Sequence, residues 1–171
     1  VATLVVIIVV IIVATATALI VIVVAFRVVE SAALVVIVVI ATKSGAKDAS
    51  DMTSKIDQSL EALRTDYIDL YQYHGCDQRR QYDEMTAEHG VLEGLLRAKK
   101  AGKIRHFGVS NFSPAMMEAA ESVGHLTANQ IGYNMFDRRT EHTVLPYCVE
   151  HGIGFMAYGT LCYGLLTGAF T

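Results

Sequence analysis

Residues Ile104 to Phe112, read Ile-Arg-His-Phe-Gly-Val-Ser-Asn-Phe, constrain the fold more than any other stretch of this chain. They follow a helical pattern ending at Lys100-Ala101-Gly102-Lys103, with Gly102 at the left-handed position that stops a helix. Ile104, Phe107 and Val109 predict a short strand that ends on two small polar side chains, Ser110 and Asn111. Ser113 and Pro114 then predict a new helix, as N-cap and first helical residue. Helix, strand, polar tip and helix form the unit of a parallel α/β fold, whose ligand site lies beyond the carboxyl ends of the strands.

The unit recurs along the chain. Val35 to Ala41 is a continuous apolar run, as expected for a strand buried on both faces, and it ends at Thr42-Lys43-Ser44-Gly45. Ala49-Ser50-Asp51 caps a helix whose apolar residues Met52, Ile56, Leu60 and Leu63 fall at helical spacing. Tyr67 to Tyr73 is the next strand, closing on His74-Gly75, and the polar stretch Asp77 to Glu84 reads as the longest loop. Val91, Leu92, Leu95, Leu96 and Ala98 mark the helix that leads into Ile104. Pro114 to Val123 is a helix stopped by Gly124, and Ala128 to Tyr133 is a strand carrying Asn129 and Gln130. A helix over Thr143 to His151 is bent or restarted by Pro146 and closed by Gly152. Ile153 to Ala157 is the last clear strand, ending at Tyr158-Gly159.

Strand ends near 42, 73, 109, 132 and 158 are thus about one βα unit apart. No Gly-x-Gly-x-x-Gly follows a strand, which argues against a dinucleotide-binding Rossmann domain and for a (β/α)8 TIM barrel. Such barrels typically need about 250 residues. The chain has 171, enough for one domain with a real core, so it reads as a single, partial barrel over residues 1–171.

The amino-terminal segment is unusual. Of the first 40 residues, 23 are Val or Ile, and only Arg27 and Glu30 are charged. Val1 to Phe26 meets the length and polarity criteria of a transmembrane helix, but it has no basic flank, aromatic belt or cleavage site. A membrane span is therefore the weaker reading, and a barrel segment with degenerate residue identities the stronger. Net charge is −3, with no basic stripe, which argues against a nucleic-acid partner. Three cysteines without metal-ligand spacing read as free thiols in a reducing compartment, here the cytoplasm. Six histidines without an HExxH-type pairing give a metal site no support.

Lys43, His74, Ser110, Asn111, Gln130 and Tyr158 all fall at or near the carboxyl ends of strands. Singly, each has a bland reading as a solvated lysine, a structural histidine or a glutamine satisfying backbone. Together they form a convergent polar set at the face where barrel enzymes keep their sites. The set suits polar reduction of a carbonyl. A cationic Lys lowers the pKa of a neighbouring acid, and a His orients or protonates the carbonyl oxygen. Ser, Asn and Gln can grip a carboxamide, and a Tyr ring can stack on a flat heterocycle. No Gly-x-Ser-x-Gly and no Cys–His pair supplies a nucleophile. Tyr67, Asp69, Tyr71 and Met116-Met117 read as packing or capping residues.

Several motifs in order carry a resemblance. Leu60 to Tyr71, His74, Gly102-Lys103-Ile104-Arg105, Gly108-Val109-Ser110-Asn111-Phe112, Asn129-Gln130, Tyr133-Asn134, Ala157-Tyr158 and Gly164-Leu165-Leu166-Thr167-Gly168 resemble the aldo-keto reductases, most nearly their bacterial general NADP-dependent branch. The likeness runs from about Ile40 to the end. It implies a (β/α)8 barrel that binds NADP(H) without a Rossmann domain, an Asp-Tyr-Lys-His tetrad, and a small carbonyl or alcohol substrate. Lys43 and His74 match the family's catalytic lysine and histidine. Ser110, Asn111 and Gln130 match its carboxamide-binding residues, Tyr158 the ring that stacks on nicotinamide, and Gly159, Leu161 and Gly164 the pyrophosphate turn.

Counting back from Lys43, the family segment Phe-Ile-Asp-Thr-Ala-Asp-x-Tyr-Gly falls on Ile12 to Ile20, with Thr15 and Ala16 matching without a gap. The family's Asp then falls on Ala14 and its Tyr on Leu19, so the register is kept and the general acid is not. The resemblance also leaves the first barrel strand without a counterpart, and the last strand with its helix, where the family grips the adenosine phosphate. An active reductase, a non-catalytic NADP(H)-binding barrel and a membrane-anchored reductase-like protein are the functions that follow.

Overall fold

The structure is a computed structural model that describes residues 5–14, 19–28, 39–75, 78–122 and 124–168, with the backbone alone for 5–14, 19–28 and 78–81. Its strands are β1 (Val5–Ala14), β2 (Leu19–Val28), β3 (Ile40–Ser44), β4 (Ile68–Tyr73), β5 (Ile104–Ser110), β6 (Ala128–Gly132) and β7 (Gly154–Tyr158). Its α-helices are α1 (Ala49–Leu63), α2 (Gln78–Thr86), α3 (Val91–Lys100), α4 (Pro114–Glu121) and α5 (Val144–His151). The strands lie in one sheet in sequence order, β3 to β7 all parallel. Five parallel strands joined by helices are the architecture of an incomplete (β/α)8 barrel.

Each helix exists for a local reason. Asp48 caps α1 by accepting from the Asp51 N–H at 2.9 Å. Met52 and Ile56 turn its buried face to the sheet, and both are fully buried. Val91, Leu92, Leu95 and Ala98 do the same for α3, which the left-handed Gly102 (φ 74°) ends as its position requires. The core between sheet and helices is filled by Tyr71, Phe107, Val109, Phe112, Met117 and Leu126. Tyr71, Met116 and Met117 are packing residues as their sequence context indicates; the Tyr71 hydroxyl ties β3 to the helix layer, donating to Ser44 Oγ at 2.8 Å and lying 3.2 Å from Ser59 Oγ. Asp69 Oδ2 accepts the Ile40 N–H at 2.8 Å and its Oδ1 pairs with Arg105 at 2.6 Å, so it holds the start of β3. The Tyr67 ring carries the Arg105 guanidinium 3.9 Å from its centroid.

Three expectations are corrected. The stretch from Asp77 to Glu84 is not a loop: α2 begins at Gln78, and Asp77 lies outside the described residues. Gln, Arg, Glu and Met favour helix, but the segment is polar nearly all round in sequence, and among its described side chains Met85 alone is deeply buried, so no apolar periodicity betrayed it. Pro146 does not break α5, which runs from Val144 to His151, because it stands in the first turn, where its missing N–H has no intrahelical partner to lose.

The third correction concerns the amino-terminal segment. The segment reads as part of a βα barrel, yet β1 and β2 form an antiparallel ladder from Val5↔Val28 to Ala14↔Leu19, and β2 pairs antiparallel with β3. Val and Ile, stiff at χ1, pack well on a pleated sheet and crowd a helix, so the chain takes the strand. Thr15, Ala16, Val29 and the first part of the Val35–Ala41 run lie outside the described residues, as does Val123. Among the described residues no helix is long and apolar enough to cross a membrane.

Candidate active site

The parallel sheet brings the ends of β3, β4, β5, β6 and β7 to one side, and the six strand-end residues come with them. Strand alternation sets one face toward the helices and the other inward. Asn129, fully buried against Phe112 and Met117, points outward. Gln130 therefore points inward, where Lys43 Nζ donates to its Oε1 at 3.1 Å. Gln72 is on the same inner face, with Nε2 donating to the Val109 carbonyl at 3.4 Å and 3.7 Å from Met156 Sδ.

Asn111 is the centre of a second set of contacts. Its backbone is left-handed (φ 62°), a conformation Asn tolerates better than most residues. Its N–H donates to the Gln130 carbonyl at 2.8 Å, so β5 and β6 stay paired past the strand end. Its amide Nδ2 donates to the Gly75 carbonyl at 3.1 Å and to Ser110 Oγ at 3.2 Å, while its Oδ1 accepts from the Tyr158 hydroxyl at 2.9 Å. Lys43, Gln130, Asn111, Ser110 and Tyr158 are thus joined by direct contacts across four strands. The Tyr158 ring also lies 6.0 Å from Lys43 Nζ, at the limit of a cation–π contact.

His74 enters through its backbone, donating its N–H to the Ser44 carbonyl at 2.8 Å. Its pKa lies below the ordinary histidine value, first because burial disfavours the cation and second because cationic Lys43 is near. Lys43 is also held below its ordinary value, by burial alone; no carboxylate pairs with it among the described residues. Gly159 (φ 67°) and Gly164 (φ 102°) take left-handed conformations in the turn that also carries the exposed Leu161. That turn follows Tyr158 directly, and Asn134 Nδ2 fixes it by donating to the Gly159 carbonyl at 3.2 Å.

The arrangement fits a flat carboxamide-bearing heterocycle. Ser110 Oγ accepts from Asn111, and Gln130 Oε1 accepts from Lys43. That leaves the Ser110 hydroxyl proton and Gln130 Nε2 with no acceptor among the described residues, two donors suited to one carboxamide oxygen. A cleft of about 570 Å³ opens beside Asn111 and Tyr158, lined also by Ser113, Arg139, Thr140 and Tyr163; Ser110, Gln130, Lys43 and His74 are not part of its lining. Among the described residues no group of three or more His, Cys, Asp or Glu could hold a metal ion.

Ala14 and Leu19 face each other as the last pair of the β1–β2 ladder. Because Ile22 pairs with Ala41 antiparallel, the end of β2 that bears Leu19 lies toward the carboxyl end of β3, where Lys43 is. The positions of the two unmatched tetrad members therefore reach the side of the sheet that carries the polar set, although the hairpin differs from a βα unit.

Asn129 is the residue the sequence reading undervalued. Its Nδ2 donates to the Phe112 carbonyl at 2.9 Å and its Oδ1 accepts the Phe112 N–H at 3.3 Å, so it fixes the chain just after Asn111. A polar residue on the helix-facing side of a buried strand was the available signal. Gly75 and Asn134, which anchor Asn111 and the Gly159 turn, carried no such signal.

The sequence model described as the aldo/keto reductase family matches residues 23–171. Aldo-keto reductase YhdN of Bacillus subtilis is 45% identical over 120 residues, covering 70% of this chain and 34% of that protein. Methylglyoxal reductase DkgB of Escherichia coli O157:H7 is 37% identical, with 63% of this chain and 39% of that protein covered. Among solved structures, the glycerol dehydrogenase AKR11B4 from Gluconobacter oxydans superposes with a TM-score of 0.69 at 34% identity, covering 78% of this chain and 44% of that one. An aldo/keto reductase from Klebsiella pneumoniae, solved in complex with NADP and acetate, gives 0.63 at 31% identity, covering 77% and 46%. The chain spans little more than a third of the curated relatives and less than half of these structures.

Proposed function

Because this chain belongs to the aldo/keto reductase family, we propose that it forms the nicotinamide end of an NADP(H)-dependent reductase of small aldehydes and ketones, or of the reverse oxidation of alcohols. Residues 1–171 act in this reading as one partial barrel, working in the cytoplasm. The observation that carries it is the chain of contacts from Lys43 through Gln130, and from Ser110 through Asn111 to Tyr158.

Ser110, Asn111 and Gln130 would hold the carboxamide, Tyr158 would lie under the ring, and the turn of Gly159, Leu161 and Gly164 would take the pyrophosphate. The nicotinamide, when bound, supplies the hydride that adds to the carbonyl carbon. His74, kept neutral by its surroundings, orients the carbonyl oxygen as a hydrogen-bond donor. Lys43 provides a positive end toward the oxygen as negative charge develops there. Among the described residues Lys43, His74 and the Tyr158 hydroxyl are the proton-bearing ionisable groups of the polar set.

Ala14 and Leu19, standing where the family pattern has Asp and Tyr, favour a second reading: a barrel that binds NADP(H) and turns over slowly or not at all. Fluorescence titration with NADPH, followed by an oxidation assay with a reactive aldehyde, separates the two. Saturable binding with turnover above background supports the reductase, and binding alone supports the second reading. No binding, in a chain whose fold is verified by circular dichroism, refutes both.

A further inference from the structure

We propose that Lys43 is an amine nucleophile that condenses with small aldehydes to form an imine, a reaction independent of any nicotinamide cofactor. Four observations carry this. Lys43 is half-buried on the inner face at the end of β3, among the side chains of the polar set. The partner of its Nζ is the amide oxygen of Gln130, at 3.1 Å, and not a carboxylate. An amide oxygen accepts an N–H from either form of the amine, and although it accepts more strongly from the ammonium, it carries no net charge and holds the cation far less than a carboxylate would. The segment that reads Ala14 and Leu19 brings to this side of the sheet neither an acid to stabilise the ammonium nor a phenol for it to tune.

The lone pair left after the contact with Gln130 is what a carbonyl needs. Burial lowers the Lys43 pKa, which enlarges the fraction present as the neutral amine at a given pH. In the step itself the Nζ lone pair adds to the aldehyde carbon, the C–N bond forms, and the carbonyl π pair moves to oxygen. One proton passes from nitrogen to that oxygen to give the carbinolamine. Loss of hydroxide, taken up with a proton as water, and of the second N–H proton leaves the imine, with no change in oxidation state. The sequence motifs point to no hydroxyl or thiol nucleophile, and the structure supplies an amine one instead.

The test uses the whole chain without nicotinamide, with propionaldehyde as probe and sodium cyanoborohydride to trap the imine as a secondary amine. Peptide mapping by mass spectrometry then locates the added propyl group. Most of the label is expected on the Lys43 peptide at neutral pH, with the exposed Lys47 and the Asp57-paired Lys103 trailing well behind. Lys43→Arg abolishes that label and leaves the other peptides unchanged. Labelling spread evenly over the lysines of the wild-type chain overturns the proposal, and that result needs no variant to fold. An undiminished total in a folded Lys43→Arg chain overturns it as well.

Discussion

Replacing Asn129 by alanine tests how the polar tip after β5 is held. Asn129 is fully buried and makes two hydrogen bonds to one backbone unit, the N–H and C=O of Phe112, itself fully buried. Truncation leaves both Phe112 groups without those partners in an apolar layer, where an unpaired buried group costs about 1–3 kcal/mol. Loss of the contact with Met117 Sδ at 3.3 Å adds a small cavity. A total loss of about 2–4 kcal/mol is expected, a large share of the roughly 5–15 kcal/mol that holds a domain together. Urea unfolding followed by far-ultraviolet circular dichroism reads it as a lower midpoint at unchanged slope.

Asn129→Asp sharpens the prediction. An ionised carboxylate still accepts the Phe112 N–H but cannot donate to the Phe112 carbonyl, whereas the protonated acid can do both. The folded state therefore prefers the acid and raises its pKa above the unfolded value. Its extra stability is present below the unfolded pKa and is lost as pH rises through the folded one. A midpoint for Asn129→Ala within about 0.5 kcal/mol of wild type, or an Asn129→Asp variant insensitive to pH, would refute this account of the tip.

The other predictions need less working. His74 titrates below the ordinary histidine range in a proton NMR titration; Lys43→Met moves it partly back, because burial, the larger cause, remains. As both Lys43 and His74 have depressed values in the folded chain, the unfolded chain binds more protons. Stability should therefore fall as pH drops through the window between each folded value and its ordinary one, and denaturant melts across pH read this. Asp69→Asn removes a partly exposed pair with Arg105 and should cost under about 1 kcal/mol by urea melt. Asp69→Ala also strands the Ile40 N–H and should cost about 1–2 kcal/mol more. Gly94→Ala places a Cβ 2.6 Å from the Ala49 carbonyl oxygen, so α1 and α3 must part, at about 1–3 kcal/mol by the same assay.

Apart from α2, the sequence determined the repeat from β3 onward, because α1, α3, α4 and α5 bury apolar residues at helical spacing, the strands lead into small or polar residues, and stop signals such as Gly102 and Gly152 sit where the chain turns. It also determined which end of the sheet would be polar, since a parallel βα repeat leaves no choice about where Lys43, His74, Ser110, Gln130 and Tyr158 go. Tertiary structure decided who holds whom. That Lys43 leans on Gln130 from 87 residues away, and that the Asn129 side chain fastens Phe112 while the Gln130 carbonyl takes the Asn111 N–H, depend on which strands lie side by side and on which face each residue looks. It decided the amino-terminal hairpin too. A continuous run of Val and Ile gives no periodicity from which to read an element, and pairing across Ala14 and Leu19 and onto β3 is a contact between distant segments. Local patterns fix elements and their ends; pairing and facing are properties of the assembled sheet.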